Sequence, residues 1–198
     1  MKYSISIILP ILNEINSLKK TLQILNKIQV DKEFIVIYSN KLTQDSVKDK
    51  IYSLKKKYKN LKCLKQIRPF VGGAIDIGIK NTKKNYIALM ASDMETNPYE
   101  LKSMINVSSK NNNSIISADR WISNKGFSNY GLIKFLANFT FQKLLKIFFN
   151  YKILDFTFAY RIYPKKALKN HRIKELRHGF ALETLLAPMK KGFNVITL

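Results

Sequence analysis

Apolar positions along the first 117 residues follow two different periods. Strand-like runs occur at residues 4–9, 33–38, 61–66, 85–90 and 114–117, and several of them are continuously apolar, as strands buried on both faces should be. Between these runs, apolar side chains recur at helical spacing in Ile15, Leu18, Leu22 and Leu25 and again in Val47, Ile51, Leu54 and Tyr58. Strands and helices that alternate in this way predict an α/β fold with a doubly wound, mostly parallel sheet.

Two helix starts can be placed from the sequence. Thr43 is suited to cap the helix that carries Val47. Asn97, Pro98 and Glu100 supply a cap, a first-turn proline and a capping-box acid, and they predict a helix over 98–110. Both starts follow a predicted strand, as an alternating layout requires.

The remainder of the chain has a different pattern. Residues 131–150 predict a long helix that is apolar on almost every face. One narrow polar stripe interrupts it, made of Lys134, Asn138, Gln142 and Lys146. The stripe can face water on a core helix, or it can face a polar cleft while the other faces pack on protein or lipid. Further on, residues 156–163 alternate like a strand, and 180–192 predict a last helix.

Composition narrows the class of protein. The chain has 198 residues, 46% of them hydrophobic, which is enough for one domain with a substantial core. Its formal net charge of +22 calls for an acidic partner: a phosphorylated substrate, an anionic membrane surface or nucleic acid. The single cysteine, Cys63, excludes an internal disulfide, and its apolar surroundings favour a core position over a nucleophile.

The sequence also bears on membrane insertion and export. No apolar stretch reaches the length of about 18 residues that a transmembrane helix needs. The N-terminus enters a strand pattern directly. We therefore expect neither a membrane span nor a signal peptide.

The segment 88–98, ALMASDMETNP, carries the strongest candidate chemistry. An apolar strand stops there, and Asp93 and Glu95 follow at alternate positions. In open α/β sheets, ligands bind just beyond the carboxyl ends of the strands. Two carboxylates at this spacing suit a hard divalent cation that would carry substrate phosphates. The alternative is a surface turn with ordinary helix-capping acids.

Six motifs together resemble family 2 glycosyltransferases, and they occur in the order found in that family. They are LPILNE (9–14), GGAIDIGI (72–79), MASDMETNP (90–98), DRW (119–121), DFTFAYR (155–161) and GFALE (179–183). The closest branch looks like the dolichyl- or undecaprenyl-phosphate sugar transferases. The resemblance covers nearly the whole chain and implies one GT-A catalytic domain. Within it, residues 1–117 would form the nucleotide-sugar-binding half and 118–198 the acceptor-binding half.

The activity implied by this resemblance is that of a metal-dependent hexosyltransferase. Such an enzyme uses Mg²⁺ or Mn²⁺ and takes its sugar from a nucleotide diphosphate sugar. For this branch, the implied acceptor is a polyprenyl phosphate used in making a cell-envelope glycan. The expected location is cytoplasmic, as a peripheral protein on the cytoplasmic face of the membrane, with no nucleic acid partner.

The same resemblance assigns roles to individual residues. The metal positions are Asp93 and Glu95. The donor-binding positions are Pro10, Asn13, Glu14, Ser39, Asn40, Gly72 and Gly73. The acceptor-binding positions are Arg120, Lys134, Asn138, Arg161 and Glu183, and the catalytic ones are Asp93, Asp155 and Arg120.

Some of these residues have a structural alternative. Pro10, Asn13 and Glu14 equally suit the end of a strand and the start of a helix, and Arg161 and Glu183 equally suit a structural salt bridge. For the glycine pair, we expect a turn with φ above zero before a helix whose N-terminus favours phosphate.

Three features depart from the family pattern. The acids that follow the second strand, one of which reads the nucleobase, are replaced here by residues that include Ser39 and Asn40, so the base cannot be predicted. The first acid of the metal motif is Ala91, and we hypothesise that Glu95 compensates for it. The chain ends at Leu198, where relatives continue through a basic segment, so we expect either a shortened or an incomplete protein.

These departures keep other functions open. A catalytically weakened relative that binds nucleotide or a partner protein is the alternative to a transferase. Nucleic-acid binding is a third class, and only the charge supports it.

Overall fold

The computed structural model describes residues 2–120, 132–149 and 155–198, and within 132–149 it describes the side chains at 136 and 139–147. The first half of the chain contains β1 (Ser4–Ile11), α1 (Ile15–Asn26), β2 (Asp31–Tyr38), α2 (Asp45–Lys57), β3 (Leu61–Lys65), α3 (Phe70–Lys80) and β4 (Tyr86–Leu89). The second half contains α4 (Leu101–Lys110), β5 (Ser114–Ser117), α5 (Leu132–Phe149), β6 (Arg161–Pro164), α6 (Lys165–Leu168), α7 (Phe180–Lys190) and β7 (Asn194–Thr197).

Seven strands form a single sheet in the order β3-β2-β1-β4-β6-β5-β7. All neighbouring pairs are parallel except those of β6, which runs antiparallel to both β4 and β5. The predicted doubly wound, mostly parallel α/β sheet is therefore confirmed. The five strands predicted in the first 117 residues are present, with ends that shift by at most two residues.

Helices cover both faces of the sheet. The apolar stripes of α1, α2 and α4 pack on one face, where Leu18, Leu22 and Ile51 are fully buried. On the other face, α3 and α7 pack on the sheet through side chains such as Ile75 and Leu185. Burial on both sides explains why residues 7–11 of β1 and 34–38 of β2 are apolar without alternation.

Three local predictions are wrong, each for a local reason. Thr43 does not cap α2, because its hydroxyl accepts the N–H of Ser39 at 3.2 Å. The strand predicted at 156–163 begins only at Arg161, because the Asp155 carboxylate ties residues 157 and 158 into a loop. The helix predicted from 98 begins at Leu101, after a turn at 98–100.

Helix α5 confirms the long helix predicted over 131–150 but shows an unusual burial pattern. Gln142 of the polar stripe is buried, whereas apolar side chains on the rest of the helix are exposed: Leu136, Phe139, Phe141, Leu144 and Ile147. A core helix whose polar stripe faces water is therefore the wrong interpretation at Gln142. Among the described helices, none is long and apolar enough to cross a bilayer.

Candidate active site

The strand order places a ligand site between β1 and β4. From β1 the chain winds to β2 and β3 on one side, and β4 then starts the other half of the sheet on the opposite side of β1. At such a reversal, the loops that leave the two central strands diverge and open a crevice at their carboxyl ends. The loop that follows β1 contains Asn13 and Glu14, and the loop that follows β4 contains Asp93 and Glu95.

Side-chain contacts tie the loop that follows β4 to its neighbours. The Ser92 hydroxyl donates to the carbonyl of Pro10 at 2.6 Å, and the Thr21 hydroxyl lies 3.2 Å from the Met94 sulfur. Met94 has a φ of 71°, and the Glu95 N–H beside it donates to the Asp93 carboxylate at 2.9 Å. The loop is therefore held by β1 and α1 in a left-handed turn that a non-glycine residue rarely adopts.

The two carboxylates of this loop are exposed and lack basic partners. Neither Asp93 nor Glu95 forms an ion pair with any described residue, although the chain has 35 lysines and arginines. Within the described ranges, no group of three or more His, Cys, Asp or Glu side chains is placed to hold a metal ion. Two carboxylates nevertheless fit Mg²⁺ or Mn²⁺, because such ions are commonly held by one or two carboxylates together with substrate phosphates.

The predicted donor-binding residues of the first two loops form one hydrogen-bonded unit. The Glu14 carboxylate accepts the backbone N–H groups of Leu12 and Asn13 at 2.9 and 3.0 Å. The Asn13 carboxamide oxygen accepts the N–H of Gln44 at 3.0 Å, which links the loop after β1 to the start of α2. Asn13 and Glu14 therefore do form the turn between the end of β1 and the start of α1, which was their structural alternative. Both side chains also remain exposed at the crevice.

The loop after β2 contains the residues that replace the base-reading acids. The Ser39 hydroxyl accepts the N–H of Leu42 at 3.1 Å, so it shapes the turn. Asn40 is exposed, and its backbone carbonyl accepts a hydrogen bond from the Lys48 ammonium. Of the two, Asn40 has the side chain that is better placed to meet a ligand.

The glycine pair has a different role from the predicted one. Gly72 and Gly73 lie inside the first turn of α3, and neither has a positive φ; that conformation falls on Phe70, with a φ of 60°. A Cβ on Gly72 would lie 2.7 Å from Leu176 Cα, and the Gly72 N–H already donates to the Leu176 carbonyl at 2.7 Å. Gly72 therefore serves close packing of the chain on itself, and its N–H is not available to a phosphate.

A second cluster lies at the same edge of the sheet, where β5 ends and β6 begins. The Arg120 guanidinium binds the Asp155 carboxylate through two hydrogen bonds of 2.7 and 3.2 Å. It also donates to the Thr157 hydroxyl at 3.0 Å and lies 5.0 Å from the centre of the Phe158 ring. Because β6 is antiparallel to β4, this cluster and the Asp93 loop share the carboxyl edge.

Gln142 belongs to this cluster, although the sequence prediction gave it no role. Its carboxamide donates to Asp155 and Thr157 at 2.9 Å each and accepts the N–H of Phe156 at 2.9 Å. The signal was present in the four-residue spacing of the α5 stripe, which aligns Gln142 with Lys134 and Asn138. The side chains of Lys134 and Asn138 themselves lie outside the described residues.

The ionised form of Asp155 is fixed by its surroundings. Burial opposes ionisation, but hydrogen bonds and the positive charge of Arg120, together with the donors of Thr157, hold the pKa of the carboxyl below its ordinary value. The Asp155 carboxylate and its hydrogen bonds orient Arg120 at the crevice, where 20% of the arginine side chain is exposed.

Two further predicted acceptor-binding residues are engaged inside the protein. Arg161 is 0% exposed and donates to the Ser117 hydroxyl and to the carbonyls of Asp155, Phe156 and Ala181. Its guanidinium therefore joins the Asp155 loop to α7 and has no surface to offer a ligand. The structure thus gives Arg161 an internal role, as its structural alternative anticipated, but through hydrogen bonds to a hydroxyl and to carbonyls rather than through a salt bridge.

Glu183 is also held by internal contacts. Its carboxylate accepts the N–H groups of Lys174 and Glu175 and lies 2.9 Å from the imidazole of His171. No described contact joins Glu183 to Arg120. The side chain of His171 is 16% exposed in this pairing. Cys63 is half-buried, and burial raises the pKa of its thiol to about 11, which disfavours a nucleophilic role.

Comparison with known proteins agrees with this architecture. The family described as "Glycosyl transferase family 2" matches residues 6–172. Glucosyl-3-phosphoglycerate synthase from Mycobacterium tuberculosis, in complex with UDP, superposes with a TM-score of 0.74 at 14% identity, over 98% of this chain and 69% of that one. The same enzyme with Mn²⁺, UDP-glucose and phosphoglyceric acid gives a TM-score of 0.73 at 13% identity, with 98% and 69% covered.

Another solved structure, of a mycobacterial protein, gives a TM-score of 0.75 at 15% identity, over 99% of this chain and 65% of that one. The chain thus spans about two thirds of the length of the structures it matches. The predicted GT-A fold is confirmed. The chain belongs to glycosyl transferase family 2.

Proposed function

We propose that this protein transfers a sugar, in the first instance a hexose, from a nucleoside diphosphate sugar to a phosphate-bearing acceptor. The observation that carries the proposal is the pair of exposed, unpaired carboxylates, Asp93 and Glu95, at the carboxyl end of β4. In a chain with a net charge of +22, carboxylates without basic partners at the crevice of the sheet are available to a ligand.

Asp93 and Glu95 are the residues that would hold a divalent cation, Mg²⁺ or Mn²⁺. Bound there with the donor diphosphate, the cation supplies positive charge that offsets the charge developing on the departing nucleotide. Ala91 contributes no carboxylate, so Glu95 is proposed as the second ligand in place of the first acid of the family motif.

The donor would occupy the crevice beside the loops after β1 and β2. Asn13 and Glu14 line its start, and the Asn40 carboxamide is exposed where the family reads the nucleobase. The structural neighbours were solved with UDP and UDP-glucose, which makes UDP-glucose the first donor to test.

Arg120 is proposed to bind the acceptor phosphate. Asp155, Gln142 and Thr157 hold its guanidinium in place, and Asp155 remains ionised because of the same contacts. A phosphate oxygen is already an anionic nucleophile, so the chain has to position it rather than deprotonate it.

The finer proposal for the acceptor is a polyprenyl phosphate at a membrane surface, in the synthesis of an envelope glycan. Its support is α5, which exposes Leu136 by 54% and Ile147 by 77%. On the same helix, the Lys143 ammonium lies 4.4 Å from the centre of the exposed Phe139 ring. An apolar helix face with basic side chains is typical of proteins that lie on an anionic bilayer.

The test is turnover of labelled UDP-glucose and GDP-mannose with and without Mn²⁺, using two acceptors. One acceptor is a polyprenyl phosphate in phosphatidylglycerol vesicles, and the other is 3-phosphoglycerate, the acid bound by one structural neighbour. Mn²⁺-dependent transfer to the lipid supports both proposals, and transfer to phosphoglycerate alone removes the lipid acceptor. Nucleotide binding without any transfer supports the alternative, a catalytically weakened relative that binds nucleotide.

A further inference from the structure

A basic groove runs between α1 and α2. Two adjoining cavities of about 320 and about 510 Å³ share Gln23, Lys57 and Tyr58 in their walls. Together they form what we call the α1–α2 groove. Its charged lining consists of Lys19, Lys27, Lys50, Lys57 and Lys59.

This lining is positive without compensation. No aspartate or glutamate lines either cavity, and none of the five lysines forms an ion pair with a described residue. Elsewhere in the chain lysines do pair, as Lys62 does with Glu33 and Lys80 with Asp76. Five like charges around one groove repel each other, and an anion bound among them would remove that repulsion.

Helix-dipole effects explain only part of the cluster. Lys57 ends α2 and Lys27 follows α1, where a cation stabilises a helix C-terminus. Lys19 and Lys50 lie in the middle of their helices, where the dipole gives no reason for a cation. The lysines at mid-helix and at the helix ends line one continuous groove, which favours a shared ligand.

The uncharged lining indicates which anion would fit. Lysine ammonium groups bind phosphate as point charges, and the exposed carboxamides of Gln23 and Asn26 can pair with hydroxyl groups. The single aromatic residue of the lining, Tyr58, is 8% exposed and packs edge-on against Phe34. It therefore offers no ring on which nucleobases could stack, which is how single-stranded nucleic acids are usually held.

We propose that the α1–α2 groove binds a glycan that carries phosphodiester groups, with lysines on the phosphates and carboxamides on the sugar hydroxyls. The groove lies toward the amino edge of the sheet, because Lys57, Lys59 and Asn60 lead directly into β3. The groove residues Lys27, Lys57 and Lys59 are separated from the candidate active site by the length of α1, about 18 Å for its twelve residues, whereas Lys19, in the second turn of α1, lies nearer to it. The groove is thus a second site, and its function goes beyond the transfer reaction.

The experiment measures binding of phosphomannan to the intact chain without donor or metal, so a negative result leaves the transferase proposal untouched. Neutral mannan is the matched glycan without phosphate. Inorganic polyphosphate is the control that presents phosphate without sugar hydroxyls. Poly(U) is the control for nucleic-acid binding. We expect saturable binding of phosphomannan, none of mannan, and at least tenfold weaker binding of the other two polymers.

The matched variants are two triple substitutions of surface lysines with equal charge change. In the groove, Lys19→Gln, Lys50→Gln and Lys57→Gln should weaken phosphomannan binding at least tenfold. On other helices, Lys102→Gln, Lys110→Gln and Lys190→Gln should change it less than threefold. Glutamine keeps the helix propensity of lysine, and circular dichroism verifies that both variants fold.

Three results would overturn the proposal. Equal weakening in both triple variants would mean that only the overall charge matters. Polyphosphate or poly(U) binding as tightly as phosphomannan through the same lysines would replace the glycan by phosphate alone or by nucleic acid. Absence of phosphomannan binding to the unsubstituted chain would remove the site altogether.

Discussion

Carboxylates at the two edges of the sheet differ in burial and in hydrogen bonding. At the amino edge, Glu33 is buried, and its carboxylate binds the Ser6 hydroxyl and the Lys83 N–H at 2.6 Å each and the Lys62 ammonium at 2.8 Å. At the carboxyl edge, Asp93 and Glu95 are exposed and form no ion pair with the described residues. The same residue type thus holds the chain together at one edge and remains available at the other.

Asp155 shows that the difference is not simply one of location. It lies at the carboxyl edge, yet it is buried and saturated by Arg120, Gln142 and Thr157. At the carboxyl edge, Asp155 is thus fixed and orients a basic side chain, whereas Asp93 and Glu95 have no ion-pair partner among the described residues. Partner saturation, rather than position alone, separates carboxylates that stabilise the fold from those that can bind a ligand.

The largest expected effect is on catalysis by the free carboxylates. Asp93→Asn or Glu95→Gln should each lower sugar transfer by roughly 10³-fold, about 4 kcal/mol of transition-state stabilisation. Unfolding free energy should stay within about 0.5 kcal/mol, because no buried contact is lost. Initial rates measure the loss of transfer, calorimetry measures the loss of Mn²⁺-dependent UDP binding, and urea denaturation measures the unfolding free energy.

Asp49→Asn, which removes an exposed acid from α2, is the matched control and should leave the rate unchanged. Unaltered UDP binding in both Asp93→Asn and Glu95→Gln would refute the metal site. It would also refute the inference that carboxylates without an ion-pair partner mark a ligand site.

The next effect concerns the fixed carboxylate of the same edge. Asp155→Ala removes the buried carboxylate that binds Arg120, Gln142 and Thr157 and should destabilise the protein by about 3 kcal/mol. Urea denaturation measures it. Asp45→Asn removes an exposed partner of Lys48 and should leave the stability almost unchanged, because solvent screens that pair. If the two variants were equally stable, saturation would not be what fixes Asp155.

At the amino edge, Glu33→Gln should lower stability by about 2 kcal/mol, because charge-assisted hydrogen bonds to Ser6, Lys62 and Lys83 are weakened. Transfer activity per folded molecule should not change, since the residue lies at the edge away from the crevice. Asp31→Asn, whose half-exposed carboxylate pairs with Lys84, serves as the control with a smaller loss. A drop in turnover without a drop in stability would contradict the division between the edges.

The smallest effect is a pH dependence. Burial opposes ionisation of Glu33, but Lys62, Ser6 and Lys83 outweigh it and hold its pKa below the ordinary value of 4.5. The unfolded chain then takes up the proton at a higher pH than the folded one. The stability that Glu33 contributes is therefore complete above pH 4.5 and is lost as the pH falls through the lower folded-state pKa.

Denaturation at several pH values between about 6 and about 3 tests this linkage. The unsubstituted protein should lose more unfolding free energy across that range than Glu33→Gln does. Parallel curves for the two proteins would show that Glu33 ionises equally in both states.

The sequence was a good guide where one local signal decided the outcome. The apolar runs of β1, β2 and β5 and the helical stripes of α1 and α2 are buried as predicted, because burial on both sides leaves few alternatives for such patterns. The position of Asp93 and Glu95 just after a strand followed from the same pattern. Family resemblance then supplied the order of motifs that periodicity could not.

Roles set by distant partners were harder to predict. Whether Arg161 faces a ligand or the interior depends on Ser117 and Ala181, which are 44 and 20 residues away in sequence. Gly72 has its role because residues 175 and 176 pack against it, about a hundred positions later. Gln142 was visible in the stripe of α5, but its partners at 155–157 are joined to it only by tertiary structure.

The chain between β5 and β6 leaves the sheet and returns to the point of departure, since the Ala118 N–H donates to the Tyr160 carbonyl at 3.0 Å. Because these ends are pinned together, the exposed part of the connection can change in length without moving β5 and β6. Residues 155 and 156 have to be kept, because Arg161 of β6 binds the carbonyls of Asp155 and Phe156 and Phe156 is part of the core. Chimaeras that retain this pair are therefore the ones expected to keep the sheet intact.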